Sequence, residues 1–169
     1  GKRAYCQFWP QQCGGIYLHQ LRSGRNPGRL SGHQPAYYGY SAFCKNTTLT
    51  NVVLGDSVTS VGMYAFKDCS SLKNINLSKN LQSIGVGAFE GCVNLSTIQL
   101  PATLNKIDMR AFAECTSLKQ IKIPKSVKEW YSESFAFCGL ENVVLEEGLT
   151  ILGETAFSGT NIKSIEIPG

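Results

Sequence analysis

The chain has 169 residues, of which 43% are hydrophobic and 17% charged, and its net charge at pH 7 is +4. These values are typical of one globular domain; they exclude a disordered chain, and the charge is too small to indicate a nucleic-acid partner. No apolar run reaches the ~20 residues of a transmembrane helix, and Gly1-Lys2-Arg3 is not followed by the apolar stretch of a signal peptide. We therefore expect a soluble piece with no membrane span, from which an export signal is absent.

Residues 1–36 differ in composition from the rest of the chain. They contain four of the five arginines and both histidines, and residues 1–55 hold six Lys or Arg but no Asp or Glu. Three interpretations remain open: an N-terminal cap, a basic binding arm for an acidic partner or nucleic acid, and a stretch that is out of frame or otherwise not native. In a cap, the side chains that cover the first coil would be those of Tyr5, Phe8, Trp9, Ile16, Tyr17 and Leu21. Cys6 and Cys13 would be able to form a disulfide if the chain is exported.

Residues 37–169 form a repeat domain with a period of 22 or 23 residues. The repeat is plainest in AFKDC, AFEGC and AFAEC, which begin at Ala65, Ala88 and Ala111. A period of about 20 to 50 residues indicates a solenoid, in which each repeat forms one coil stacked on the next. We number coils 1 to 5 by the full units, which are 49–71, 72–94, 95–117, 118–139 and 140–161, with partial units at 39–48 and 162–169.

Each unit opens with Leu-x-x-(Ile/Val)-x-(Leu/Ile), an alternation that predicts a half-buried strand. Stacked coils would join these strands into one parallel sheet. Gly55, Pro101 and Pro124 follow the strand in three units and turn the chain away. Apolar anchors then predict a buried returning side: Val58, Val61, Leu81, Ile84, Leu104, Ile107, Val127, Trp130, Leu149 and Leu152.

The Ala-Phe pair comes next in each unit. Segments such as 63–67 and 109–113 are too short for a free-standing helix, and they suit a single helical or 3₁₀ turn. The phenylalanines should point inward as a stacked column, because each has a large apolar area to bury. The column consists of Phe66, Phe89, Phe112, Phe135 and Phe157.

Cysteine recurs at the same place in four coils, at Cys69, Cys92, Cys115 and Cys138. Parallel side chains on coils ~4.8 Å apart hold their Cβ atoms beyond the ~3.5 to 4.5 Å usual in disulfides. A straight row of thiols also cannot surround a tetrahedral zinc ion, and no histidine follows His33. The pattern therefore predicts buried free thiols with a packing role, and we expect neither a metal site nor a cofactor.

Three motifs of the units together resemble the BspA-like leucine-rich repeats of bacterial, treponemal and trichomonad surface proteins. These motifs are Leu-x-x-Ile-x-Leu-Pro, (Leu/Val)-x-x-Ile-Gly and Ala-Phe-x-x-Cys. The resemblance covers about residues 38–169. It implies an α/β fold, a right-handed solenoid or horseshoe with a parallel sheet on its concave face and short helical or 3₁₀ turns on its convex side. It also implies a role in adhesion and virulence. The protein would act at the cell surface or after secretion, by binding host proteins or other cells. The sequence departs from the pattern at Asp108 and at Trp130-Tyr131.

The sequence offers no catalytic site. The repeat cysteines lack a neighbouring base, because His19 and His33 lie outside the repeats, and the common motifs of hydrolases, metalloproteases and phosphate binding do not occur. The acidic pair Glu146-Glu147 follows a strand, where a solvated edge is the commoner role. We therefore predict that the protein is not an enzyme.

The exposed side of the unit-opening strands is the candidate binding surface, called the amide face below. Amide side chains dominate it, and they donate and accept hydrogen bonds without a large desolvation cost. Its first column is Asn51, Asn74, Thr97, Gln120, Asn142 and Ser164, and its second is Val53, Asn76, Gln99, Lys122, Val144 and Glu166. The members in coils 1 to 5 are the predicted binding residues.

Two functions are compatible with this pattern. The first is an adhesin-like module whose concave face binds a protein or glycan, such as a component of the host extracellular matrix or of a cell surface, with no nucleic acid expected. The second is a structural spacer or self-assembling unit. The strand predicted at 162–167, which begins with Ile162 and ends at Ile167, would offer an unpaired edge, so we expect this chain to be a fragment of a longer array or to self-associate there.

Overall fold

The structure, a computed structural model, describes residues 16–17, 36–38, 41–147 and 153–166. These residues form a parallel β-solenoid of about five turns with the leucine-rich repeat fold. Leu149, Leu152, Ile167 and most of the N-terminal segment lie outside the described residues. The strands are β1 Ile16–Tyr17, β2 Ala36–Tyr38, β3 Asn51–Val53, β4 Val58–Val61, β5 Asn74–Asn76, β6 Ser83–Ile84, β7 Lys106–Ile107, β8 Gln120–Ile123, β9 Glu129–Trp130, β10 Asn142–Leu145 and β11 Ser164–Glu166.

The unit-opening strands pair in parallel, as the alternation predicts, but they form two separate sheets. One sheet has the order β1-β3-β5 and the other β11-β10-β8. Coil 3 contributes no strand between them, and a single isolated bridge joins Asn74 to Thr97. The expectation of one continuous sheet is therefore wrong at coil 3. We call these two sheets together the front sheets.

The interruption coincides with prolines at both junctions of coil 3, but the missing bond does not by itself separate the strands, because Ser78 does not donate to Leu54 either and β3 still pairs with β5. Where the front sheet is intact, the N–H of Glu146 in coil 5 donates to the carbonyl of Ile123 in coil 4 at 3.1 Å. Pro101 and Pro124 take the place of Glu146 in coils 3 and 4, and proline has no N–H to donate. Both junctions of coil 3 therefore lose a hydrogen bond that the junction between coils 4 and 5 makes.

A second sheet, called the back sheet, runs without interruption through the same coils. Its strand order is β2-β4-β6-β7-β9, and all neighbours are parallel. It is built from the apolar anchors that the sequence places on the returning side. The anchors in the described residues are buried: Val58, Val61, Leu81, Ile84, Leu104, Ile107, Val127 and Trp130.

The Ala-Phe segments are turns, so the predicted helical or 3₁₀ turns, and with them the α part of the α/β class, are not found in the described coils. The reason is the left-handed backbone at two places in each coil, for example Tyr64 (φ 55°) and Asp68 (φ 57°) in coil 1. The N–H groups alternate in direction: Ala65 donates within its own turn, whereas Phe66 donates to the carbonyl of Ala88 in the next coil at 2.8 Å. An α-helix would keep all of these bonds inside one segment.

The phenylalanines form the predicted column. Phe66, Phe89, Phe112 and Phe135 are fully buried, and successive rings stack with centroids 5.1 to 5.3 Å apart. Phe157 continues the column at 5.7 Å. The Trp130 ring meets the rings of Phe135 and Phe157 edge-on, so the departure from the repeat pattern at Trp130 fills the core of coil 4.

None of the described residues lies in a helix long and apolar enough to cross a membrane.

Candidate functional site

The structure brings the ten predicted binding residues together on one surface. The core-facing neighbours Val52, Ile75 and Val143 are buried, so the residues on either side of each face outward. Val53 and Val144 are half-buried. The other eight are exposed: Asn51, Asn74, Asn76, Thr97, Gln99, Gln120, Lys122 and Asn142. Their role in binding stays a prediction.

Side chains of the amide face bond to one another along the solenoid. The Asn74 amide donates to Asn51 Oδ1 at 2.9 Å, and the Ser164 hydroxyl donates to Asn142 Oδ1 at 2.6 Å. Equivalent positions on adjacent coils are close enough for such ladders. The amide groups of Asn51 and Asn142 are therefore each held by a neighbouring coil.

The positive charge of Lys122 is compensated within the face. Its ammonium group lies 2.8 Å from Glu146 Oε1, and the N–H of Lys125 donates to Glu146 Oε2 at 3.1 Å. The hydrogen bond from Lys122 lowers the pKa of Glu146, which stays ionised. Glu146 thus acts as the partner of a lysine, consistent with the predicted solvated edge, and the face is close to neutral at this point.

A cleft of about 530 Å³ opens in the amide face where the front sheet is interrupted. Sequence reasoning missed it, although Pro101 and Pro124 signal the loss of two ladder bonds. It is lined by Asn74, Ile75, Asn76, Leu77, Lys79, Thr97, Ile98, Gln99, Leu100 and Pro101.

The turn side carries a charge cluster that sequence reasoning also missed. The Arg110 guanidinium contacts the carboxylates of Glu90 (2.9 Å), Glu114 (2.9 Å) and Glu133 (2.6 Å), and Lys67 lies 3.0 Å from Glu90. Burial opposes ionisation of Glu90, but the hydrogen bonds from Lys67 and Arg110 outweigh it and lower the pKa of Glu90. Aligning the units would reveal these pairs, because opposite charges occupy neighbouring places on adjacent coils. Each charged group of the cluster contacts a group of opposite charge, which is typical of a cluster with a structural role.

Aromatic side chains of one coil lie over glycines of the next. A Cβ atom at Gly87 would come within 2.6 Å of the Tyr64 ring, and one at Gly159 within 2.4 Å of the Phe137 ring. Both glycines also have a positive φ. Phe137, at φ 57° and 52% exposed, thus covers the backbone of coil 5.

The repeat cysteines are buried and unpaired, as predicted. Each thiol donates to the carbonyl of a phenylalanine in the preceding coil, for example Cys92 Sγ to Phe66 O at 3.1 Å and Cys115 Sγ to Phe89 O at 3.2 Å. Burial raises the pKa of Cys69 to about 12 and raises the pKa of Cys92 and Cys115 well above the ordinary thiol value. These groups stay protonated at neutral pH, and a protonated thiol is neither a good nucleophile nor a metal ligand. Within the described ranges no cluster of His, Cys, Asp or Glu is suited to a metal ion.

The chain belongs to the BspA type leucine rich repeat family, whose model matches residues 37–163 in six copies. Proteins of this family are generally protein-interaction modules and generally non-enzymatic. Among curated proteins no sequence matches the chain.

Solved structures of bacterial leucine-rich repeat proteins are similar to this chain. The T. pallidum leucine rich repeat protein TpLRR is 31% identical with a TM-score of 0.79, over 90% of this chain and 69% of that chain. A leucine-rich repeat protein from Bacteroides ovatus is 28% identical with a TM-score of 0.65, over 78% of this chain and 41% of that chain. A leucine rich cell surface protein from Faecalibacterium prausnitzii is 25% identical with a TM-score of 0.57, over 77% of this chain and 42% of that chain.

Proposed function

We propose that the chain is an adhesin-like interaction module that binds a host or bacterial macromolecule through the amide face, the concave side of the solenoid. The observation that carries the proposal is the exposure of eight mostly neutral polar side chains in two columns on one side of the stacked coils. Amide groups have donors and acceptors but no charge, so their desolvation on binding costs less than that of charged groups. Such a surface suits a broad contact with a protein or glycan.

Side chains that are held in place favour binding of a partner by the amide face. The ladders Asn51–Asn74 and Asn142–Ser164 hold amide groups in place before a partner arrives. Less side-chain entropy is then lost on association. A face of freely rotating charged side chains would lose more.

The comparisons support a location at the cell surface or outside the cell. The similar protein from Faecalibacterium prausnitzii is described as a cell surface protein. We propose the same location here, with host extracellular matrix or a cell surface as the source of the partner. We also propose that the chain has no catalytic activity, because its described repeat cysteines are buried.

Paired variants on the two sheets test the proposal. We expect Gln99→Arg combined with Lys122→Glu to abolish capture of the chain by an immobilised panel of purified extracellular matrix proteins and glycans. The matched control carries the same two kinds of change on the other side of the coils, Gln82→Arg with Lys128→Glu, and should retain capture. Equal loss in both variants, or no capture by the unaltered chain, would contradict the proposal.

The second candidate, self-assembly or a spacer role, is favoured by the exposure of β11. Ile165 is 41% exposed, whereas the equivalent Val143 in β10 is 1% exposed. We expect the amides of 162–167 to exchange faster in dilute protein than those of 142–145, which lie between two paired strands, and to slow as the protein concentration rises. Ile165→Lys should remove that concentration dependence. A monomer at all concentrations, with these amides strongly protected, would exclude self-assembly through this edge.

A further inference from the structure

The two methionines of the chain stand at the same place in their repeats. Met63 begins the turn that follows β4, and Met109 begins the turn that follows β7. Their side chains are 37% and 45% exposed, whereas the four repeat cysteines are buried. The sulfur atoms of these coils are therefore divided between thioethers in contact with solvent and thiols in the core.

We infer that Met63 and Met109 are reversible oxidation sites, at which a peroxide converts each thioether to a sulfoxide while the solenoid stays folded. This inference does not depend on the proposed function. In the reaction the thioether sulfur attacks one oxygen of the peroxide, so that an S–O bond forms and the O–O bond breaks. The second oxygen leaves as water after it takes the proton of the first. The sulfur loses two electrons, and the peroxide is reduced.

Exposure controls the reactivity of a thioether, because its sulfur has no proton to lose. A thiol, by contrast, reacts as the thiolate. Burial raises the pKa of Cys92 and Cys115 well above the ordinary thiol value, and both thiols donate to main-chain carbonyls of the preceding coil. At neutral pH a peroxide therefore reacts with the exposed thioethers in preference to the thiols of the core.

Main-chain hydrogen bonds hold both turns whatever the state of the sulfur. The carbonyl of Met63 accepts from the N–H of Ser41 at 2.9 Å, and the carbonyl of Met109 accepts from the N–H of Gly87 at 2.9 Å. Each bond joins the turn to the preceding coil. Oxidation adds an oxygen atom to the side chain and leaves these main-chain groups unchanged, so the connection between the coils is kept.

Two other coils show that this place in the repeat accepts polar side chains. Ser132 in coil 4 and Glu154 in coil 5 occupy the position of the methionines, and Glu154 is exposed. Their carbonyls accept from the N–H groups of Arg110 and Glu133 at 3.3 and 3.2 Å, as the methionine carbonyls do from their own preceding coils. A sulfoxide is polar, and at an exposed place it keeps its contact with water. We therefore expect the oxidised chain to retain its fold.

The same exposure makes the modification reversible. Methionine sulfoxide reductases, one for each epimer of the sulfoxide, restore the thioether. The oxygen leaves as water while two thiols of the reductant form a disulfide. The two turns contain none of the ten predicted binding residues, so the cycle leaves the amide face chemically unchanged.

Graded additions of hydrogen peroxide to the folded chain test the inference, with oxidation located by mass spectrometry of its peptides. We expect one added oxygen atom at Met63 and at Met109, at rates within about threefold of those in the chain unfolded by guanidinium chloride. The four repeat thiols, measured by alkylation after unfolding, should be lost at least about tenfold more slowly in the folded chain than in the unfolded chain. Cys44 is half-buried and is read separately on its own peptide.

Thermal unfolding shows whether the fold tolerates the change. The Tm of the oxidised chain should lie within about 2 °C of that of the untreated chain, as for a change at the protein surface. Treatment with both reductases and a dithiol should then remove the added oxygen from both methionines. The control is Met63→Leu combined with Met109→Leu, which keeps an apolar side chain of similar size and should take up no oxygen in these turns.

Three results would overturn the inference. One is loss of the repeat thiols before the methionines are oxidised. Another is a fall in Tm on oxidation of the unaltered chain that the double leucine variant does not show. The third is a sulfoxide at either position that the reductases do not reduce in the folded chain.

Discussion

The front sheets and the back sheet run through the same coils, yet only the back sheet is continuous. At coil 3 the front side has a single bridge, Asn74 to Thr97, whereas the back side pairs Ser83 with Lys106 and Lys106 with Glu129. The back strands have no proline, and Pro101 and Pro124 each remove a donor at the front. The same stacked coils therefore have one side joined continuously by strand pairing and another on which that pairing is interrupted.

The comparison shows that stacking of the coils does not depend on the front sheet. The phenylalanine column keeps its spacing of 5.1 to 5.3 Å across coils 2, 3 and 4. The thiol bonds from Cys92 and Cys115 to the preceding coil are also intact. Because the core and the back sheet hold the coils together, the front sheet is interrupted at coil 3 while the coils stay stacked.

Phe89→Ala tests the largest contribution to that stacking. Phe89 is fully buried between two other rings, so its loss should lower the free energy of unfolding by about 3 to 5 kcal/mol. Phe157→Ala, at a partly buried end of the column, is the control and should cost less. The measurement is equilibrium unfolding in urea, and equal losses would show that the column is not the main support of the coils.

Glu90→Gln tests the charge cluster of the turn side. The Glu90 side chain is 11% exposed and accepts charged hydrogen bonds from Lys67 and Arg110, so the change should cost about 1.5 to 3 kcal/mol at neutral pH. The exposed Glu154→Gln should change stability by less than about 0.5 kcal/mol.

The stabilisation by Glu90 should also depend on pH. Because its pKa in the folded protein is lowered, the contribution is complete above the ordinary carboxyl pKa of ~4.3 and is lost as the pH falls through the folded value. Unfolding curves of the unaltered chain and Glu90→Gln should therefore converge on acidification. Curves that stay parallel down to low pH would contradict the assigned role.

Cys92→Ser tests the bond between the thiol column and the backbone. The serine hydroxyl is more polar than the thiol it replaces and must find a partner inside an apolar stack, so a loss of about 1 to 3 kcal/mol is expected. A thiol reagent should react with the half-buried Cys44 in the folded protein and with Cys92 only after unfolding. A chelator should leave Tm unchanged, and metal present in stoichiometric amounts would refute the packing role.

Hydrogen exchange tests the smallest effect. It compares the junction of coils 1 and 2, where a backbone bond joins the front sides of the coils, with the two junctions of coil 3, where that bond is missing. The N–H of Leu54 is bonded to Asn76, so it should exchange at least about tenfold more slowly than those of Leu77 and Leu100. Pro101→Ala restores a donor for the Leu77 carbonyl and should change stability by only about 1 kcal/mol or less, and the new N–H at position 101 should itself be protected from exchange. Equal protection of all three leucines would mean that the junctions of coil 3 are closed.

Much of the fold follows from the sequence, because a period of 22 or 23 residues places equivalent side chains on adjacent coils. The buried anchors, the phenylalanine column, the free thiols and the exposure of residues such as Gln99 and Gln120 all follow from that repetition and from strand alternation. The prediction of helical turns was wrong because short segments such as 63–67 have no strong conformational preference of their own. There, left-handed residues and bonds to the neighbouring coil determine the backbone.

By itself, then, the sequence determined which residues face the core and which face solvent, since both depend on local periodicity. The tertiary structure alone decided what happens between coils: the back sheet, the cleft at coil 3, and the ring of carboxylates around Arg110. These features depend on hydrogen bonds and contacts between residues about 23 positions apart. The pairing of such distant groups is settled only when the coils stack, because each bond needs a donor and an acceptor supplied by different repeats.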